Sequence, residues 1–181
     1  MYAKRLAAAL AAFVLLLSIG CSQQRANTPS EKSTVAAALE QNGMKDIKVS
    51  EDRGKGVITL TGDVTNQADK ERAEEIARSA ANNSVIANEI LVTGGDKDTA
   101  KEVNQDNDKA IEAHFKEWVA ANHMKNQHVT GDAKNGVLTL TGDVDTAAQR
   151  DMFEKETAKI PGVTEVVNKL DVKGRRRASN D

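Results

Sequence analysis

Gly56-Val57-Ile58-Thr59-Leu60-Thr61-Gly62-Asp63-Val64 returns as Gly136-Val137-Leu138-Thr139-Leu140-Thr141-Gly142-Asp143-Val144, an offset of 80 residues from Gly62 to Gly142. The same offset carries Asn42 onto Asn122, Met44 onto Met124, Val49 onto Val129, Glu74 onto Glu154, Asn88 onto Asn168 and Val92 onto Val172, without a gap. The chain therefore holds one unit twice. Successive side chains of a strand point to opposite faces, so Ile58 and Leu60 share one face and Val57, Thr59 and Thr61 the other. The first face needs an apolar cover.

Working outward from the first copy, Thr28 or Ser30 caps a helix whose apolar positions Val35, Ala38 and Leu39 follow helical spacing. Asn42-Gly43 stops it. Ile47 and Val49 alternate with Lys48 and Ser50 as a strand, and Glu51 to Lys55 make the turn into the repeated stretch. Beyond it, Thr65 or Asn66 caps a second helix with Ala73, Ile76, Ala77 and Ala80 at i, i+3, i+4 and i+7 and Lys70 and Glu74 placed as an i,i+4 pair. Asn82-Asn83 ends that helix, and Ile86, Ile90 and Val92 share one face of a last strand from about Val85 to Val92. The order is helix, strand, strand, helix, strand. It predicts an α+β chain of two tandem αββαβ units, each a three-stranded mixed sheet covered on one face by two helices, with a right-handed crossover.

The second copy shows the same order with larger side chains. Ile111, Phe115, Trp118 and Val119 stand at i, i+4, i+7 and i+8 of its first helix. Its first two strands are expected at Gln127 to Thr130 and Val137 to Val144, with a turn at Ala133-Lys134-Asn135. The second helix starts at Asp145 or Thr146 and stops at Pro161-Gly162, and Thr164 to Val172 closes the unit. The units are thus residues 31–92 and 108–172. Between them 93–107 reads as a linker, part of which can be helical, and 173–181 as a basic disordered tail.

Residues 1–20 have the layout of a signal peptide: Lys4 and Arg5 precede an apolar run of 14 residues, Leu6 to Ile19. A membrane-spanning helix needs about 20 apolar residues, so the segment is expected to be removed. Residues 21–30 are polar and read as a tether. The one cysteine, Cys21, excludes an internal disulfide and a CxxC zinc framework.

Leu17-Ser18-Ile19-Gly20-Cys21 resembles a bacterial lipobox, with Ser18 where the usual pattern has leucine. The resemblance implies acylation of Cys21, and Ser22 after it implies sorting to the outer membrane, facing the periplasm. Ser18 and Gly20 also satisfy the small-x-small rule of the ordinary signal peptidase, so a soluble periplasmic protein is the alternative.

Each unit carries 11 acidic and 8 basic residues, and neither has the basic excess that nucleic-acid binding through counterion release requires. The positive charge gathers in Lys173, Arg175, Arg176 and Arg177. A run of this kind is either a solvated tail or a contact for anionic headgroups, at about 1 kcal/mol per basic residue near the surface. Trp118 likewise reads as part of a core stripe or as a partly exposed ring that enters the interfacial zone of a bilayer.

Gly-Val-Ile-Thr-Leu-Thr-Gly-Asp-Val, a helix, then Pro161-Gly162 and Val166-Val167-Asn168-Lys169-Leu170-Asp171-Val172 together resemble the BON domain, named for bacterial osmotic-shock and nodulation proteins. The first copy departs at Asn82-Asn83-Ser84, where the second has Pro-Gly-Val. The resemblance implies a periplasmic or outer-membrane protein associated with phospholipid and with envelope integrity under osmotic stress. It is similar to dual-domain lipoproteins in which the second domain contacts lipid. The membrane-contact residues expected on this reading are Trp118, Arg175, Arg176 and Arg177, with anionic phospholipid as the partner. The alternative is a protein-interaction module, in which the open sheet faces bearing Val57, Thr59, Thr61 and Val137, Thr139, Thr141 dock each other or an envelope partner.

No catalytic residue, cofactor or metal site is expected. Gly62 and Gly142 suit a bulge or a close backbone approach, since one glycine does not make a phosphate loop. Asn88 and Asn168 share a face with apolar residues, and a buried amide must be bonded, here to the adjacent turn. His114, His123 and His128 show no i,i+4 spacing and read as surface side chains.

Overall fold

The structure, a computed structural model, describes residues 30–122 and 128–173. The leader, Cys21, His123 and Arg175 to Arg177 lie outside the described residues. The first unit is α1 (Glu31–Gln41), β1 (Lys48–Asp52), β2 (Val57–Val64), α2 (Gln67–Ala80) and β3 (Val85–Val92). The second is α3 (Lys97–Ala121), β4 (His128–Lys134), β5 (Val137–Val144), α4 (Ala147–Thr157), β6 (Glu165–Asn168) and β7 (Asp171–Val172).

In both units the long central strand pairs antiparallel with the strand before it and parallel with the strand after the helix. The sheets run β1-β2-β3 and β4-β5-β6, with β7 also on β5. Leu60 lies opposite Asn88 and Leu140 opposite Asn168, so the two parallel registers coincide. The last strand of the second unit is interrupted at Lys169-Leu170, where the Leu170 N–H donates to Asn168 Oδ1 at 3.2 Å.

Local chemistry sets the ends of the elements. Asn66 caps α2 by accepting from Asp69 N. Thr146 and Gln149 form a full capping box on α4. Gly43, at φ 82, lets α1 close with bonds from its own N–H to Glu40 and from Met44 N–H to Leu39. At the start of α1, Ser30 makes no side-chain cap and its hydroxyl donates to Glu51 instead.

The helices bury the faces the alternation assigned to them. Val35, Leu39, Ile58, Leu60, Ala73, Ala77, Ile86 and Ile90 form the first core. Ile111, Phe115, Leu138, Leu140 and Phe153 centre the second.

Three local readings are corrected. Residues 97–107 are helical and continuous with the first helix of the second unit, because Asp96 caps at Thr99 N and no breaker follows before Asn122. Only Thr93 to Asp96 connects the units without helix, with Gly94 at φ 58 and Gly95 at φ 99. The second hairpin turns at Asn135-Gly136, not at Ala133-Lys134-Asn135. The φ values of 49 and 84 are those of a two-residue turn that matches strand twist, so β4 runs on to Lys134. Finally, α4 ends at Thr157, ahead of Pro161-Gly162, where the Thr157 hydroxyl donates to the Phe153 carbonyl at 2.7 Å.

The sheet faces turned away from the helices meet each other. Val57 and Ala87 of the first unit join Val137 and Val167 of the second in one buried cluster. Each sheet is thereby covered by helices on one side and, at the centre of its other side, by its duplicate, while β1 and β4 keep exposed residues there.

Candidate functional site

Helix α3 carries Phe115 and Trp118 on one stripe. Phe115 is buried, whereas Trp118 is half-buried and sets its ring edge-on against Phe153, with centroids 5.1 Å apart at 71°. Val119, Val129, Met152 and Val172 pack partly buried around the same core. This is the end of the unit where α3 stops, β4 begins with His128 opposite Asp143, and β5 finishes with Val144 opposite Val172. Lys173, the last described residue, reaches Asp145 there at 2.9 Å. An amphipathic indole and the exit toward the Arg175 to Arg177 run are thus on one end of one unit.

The two asparagines are fixed by the facing helix rather than by a turn. Asn88 Nδ2 donates to the Lys70 carbonyl at 3.0 Å and to Glu74 at 3.1 Å, and Asn168 Nδ2 donates to the Arg150 carbonyl and to Glu154, both at 3.0 Å. An amide that faces a helix surface finds the next carbonyl there before it finds a loop. Asn168 Oδ1 also accepts from Leu170, whereas the buried Asn88 Oδ1 has no partner.

Gly62 and Gly142 sit at φ 142 and 119, where the preceding chain crosses close by. A Cβ on Gly62 would lie 2.8 Å from the Asp46 carbonyl oxygen, and one on Gly142 would overlap the His128 carbonyl.

The boundary between the units is polar around its four-residue apolar centre. Lys134 pairs with Glu89 at 2.8 Å, Lys55 with Asp171 at 2.6 Å and Lys169 with Asp52 at 3.6 Å. Glu165 accepts from the Asn88 backbone N–H at 3.1 Å and lies 3.9 Å from Arg78. Burial pushes the Glu165 carboxyl up from the ordinary glutamate range, with Glu74 acting in the same direction, while Asn88, Arg78 and Lys70 pull it down. Burial lowers the neighbouring Lys70 ammonium, against the pull of Glu165, Glu74 and Asp108. None of the partners across the boundary was foreseen from the sequence, and within α2 the salt bridge of Glu74 is with Arg78, at 2.7 Å, rather than with Lys70 as the spacing suggested. The Asn135-Gly136 dipeptide was the one signal that could have placed part of the boundary.

A groove of about 540 Å³ runs between the first sheet, α3 and the second hairpin. Its charges answer one another: Lys97 meets Asp63 at 2.6 Å and Lys134 meets Glu89. Among the described residues no cluster of three metal-ligating side chains occurs, and no helix is long and apolar enough to cross a membrane. His114 is exposed, 3.5 Å from Glu117.

Residues 31–94 and 107–174 match the family model of the BON domain. The chain belongs to the BON domain family. Its two BON units are the two αββαβ repeats. It is also similar to osmotically-inducible protein Y of Escherichia coli (strain K12), 28% identical over 138 residues that make up 76% of this chain and 68% of that protein. Among solved structures it is similar to CdsD, a structural protein of the type III secretion system of Chlamydia trachomatis. That likeness has a TM-score of 0.36 at 12% identity and covers 82% of this chain and 96% of that one. The C-terminal domain of the same protein gives 0.33 at 11%, covering 77% and 96%.

Proposed function

We propose that this chain is a non-catalytic, periplasm-facing envelope protein, anchored by acyl groups on Cys21, that contacts phospholipid through the Trp118 end of its second BON unit and supports the envelope under osmotic stress. The observation that carries the reading is the half-buried Trp118 at the end from which the chain leaves toward Arg175, Arg176 and Arg177. An indole with one side in a core and one side free suits the interface of a bilayer, and the basic run adds attraction to anionic headgroups. The osmotic setting is supported by the name of the Escherichia coli relative.

Trp118 is the single tryptophan, so its emission reports on this end alone. With anionic vesicles the full chain is expected to co-sediment and its emission to shift to the blue. Replacing Arg175, Arg176 and Arg177 together by alanine is expected to weaken binding about a hundredfold, from three charges at about 1 kcal/mol each. Background sedimentation with neutral and anionic vesicles alike would end the reading. The anchor is tested separately by mass spectrometry of the mature N-terminus, where an unmodified Cys21 or a start elsewhere counts against it.

A further inference from the structure

We propose that the face-to-face pairing of the two BON units is also made in trans, the first unit of one molecule docking on the second unit of another to give a unit-exchanged dimer. The apolar centre of the pairing is built from equivalent positions, Val57 with Val137 and Ala87 with Val167, so each face is shaped to receive its own duplicate. Charge then decides which duplicate is accepted. Positions 89 and 169 are equivalent under the 80-residue repeat yet opposite in sign: Glu89 meets Lys134, and Lys169 meets Asp52. Two first units set face to face would bring Glu89 against Gly54 and Asp52, the positions where Lys134 and Asp132 stand in the second unit. That arrangement loses the ion pair and adds like charge. First with second satisfies both contacts, in one molecule or between two.

The exposed edge of β3 points to the same partner. Its Asn88 N–H, on the side away from β2, is taken by Glu165 at 3.1 Å, so a side chain of the second unit stands where another strand would pair, and Asn135 Nδ2 adds a bond to the Glu89 carbonyl at 2.8 Å. The first unit has Val85 and Lys55 at those positions and cannot return the same bonds to a copy of itself.

The connection permits the exchange. Between β3 and α3 lie only Thr93 to Asp96, and Gly94 and Gly95 have open space on the side where a Cβ would stand. Rotation there swings the whole second unit, led by α3, away from the first face without disturbing either core. A second molecule offers the identical second unit to fill it.

The test uses complementary charge reversals in the full chain, held in mild detergent. Glu89→Lys sets lysine against Lys134 within its own molecule, and Lys134→Glu sets glutamate against Glu89. In an exchanged pair of the two variants, the introduced lysine of one molecule meets the introduced glutamate of the other. The Glu89 and Lys134 that each variant retains meet at the second docked face, so both faces regain an ion pair. Native mass spectrometry with one variant isotopically labelled is expected to show a mixed dimer, in a fraction about tenfold above the dimer of either variant alone. The chain carrying both reversals is expected to behave as the parent does. Circular dichroism of each variant establishes that it folds. Asp52→Lys with Lys169→Glu supplies an independent pair should either of the first two fail to fold. A mixture that contains only the species of its separate components overturns the proposal. So do variants that dimerise alone as readily as together, because the charges would then select nothing.

Discussion

The two BON units share a frame and differ in what fills it. Where the first unit has Val35, Ala38 and Ala73, the second has Phe115, Trp118 and Phe153. The strand beneath has changed to match: Gly131 stands where the first unit has Glu51, and a Cβ on Gly131 would lie 2.8 Å from Cδ1 of the Phe115 ring. A larger ring on the helix has gone with the loss of a side chain on the sheet. The strand pairing, the glycine crossing and the asparagine clamp did not change. A small α+β frame is thus specified by a few backbone-directed residues, which leaves the packing free to diverge toward a different surface.

That contrast can be broken most strongly at Phe153. Phe153→Ala removes a fully buried ring and the edge contact of Trp118, and is expected to cost about 4 kcal/mol. The counterpart Ala73→Gly should cost about 1 kcal/mol, mainly through helix propensity. Denaturant melts followed by circular dichroism compare the two. Equal costs would mean that the second core does not depend on its aromatics.

The glycine crossings come next. Gly142→Ala forces a methyl into the His128 carbonyl at an unfavourable φ and is expected to cost about 3 kcal/mol. Gly62→Ala meets the Asp46 carbonyl less severely and should cost about 1 to 2 kcal/mol. The same melts rank them, and the reverse order would show that the two crossings are not equivalent.

The asparagines sharpen the comparison further. Asn168→Ala removes bonds to the helix and also leaves the Leu170 N–H without its acceptor, for about 2 kcal/mol. Asn88→Ala removes a similar pair of bonds but also an oxygen that had no partner, so about 1 kcal/mol is expected. Amide hydrogen exchange at Leu170 should rise in the first variant only.

The smallest effect concerns the boundary. Docking raises the Glu165 carboxyl above its ordinary value of 4.5, so the docked state holds that proton more tightly than the open state. The contribution of this group is complete below pH 4.5 and is lost as pH rises through the docked value. Docking should therefore tighten slightly as pH falls from about 7 toward about 5, read as a higher protection of the Asn88 amide relative to an unprotected amide at the same pH. Glu165→Gln, which keeps an acceptor without the charge, should flatten that dependence.

How much of this was legible follows from where each signal lies along the chain. The repeat, the facing of Ile58 and Leu60, and the cap at Asn66 were readable because each depends on neighbours within a few residues. The long helix was under-read because polar residues between Asp96 and Asp108 resemble a linker, and only the cap at Asp96 shows that they are not. The turn was misplaced by one step although Asn135-Gly136 announces it. Pairings such as Glu89 with Lys134 join residues far apart in sequence and present no local pattern, so the closure of the two sheets on each other was one alternative among several. Of the proposed site, Trp118 stood out by composition alone. Its place beside the chain exit needed the fold.

Helix α3 begins beside Asp63 of the first unit and ends in the aromatic core of the second, about 37 Å along at 1.5 Å per residue. All of its buried side chains belong to the second core, so what joins the fates of the two units is the docked sheets, Val57 and Ala87 against Val137 and Val167, with the ion pairs around them. The protein should accordingly lose its structure in a single calorimetric peak, behaving under heat as one body although it was assembled from two.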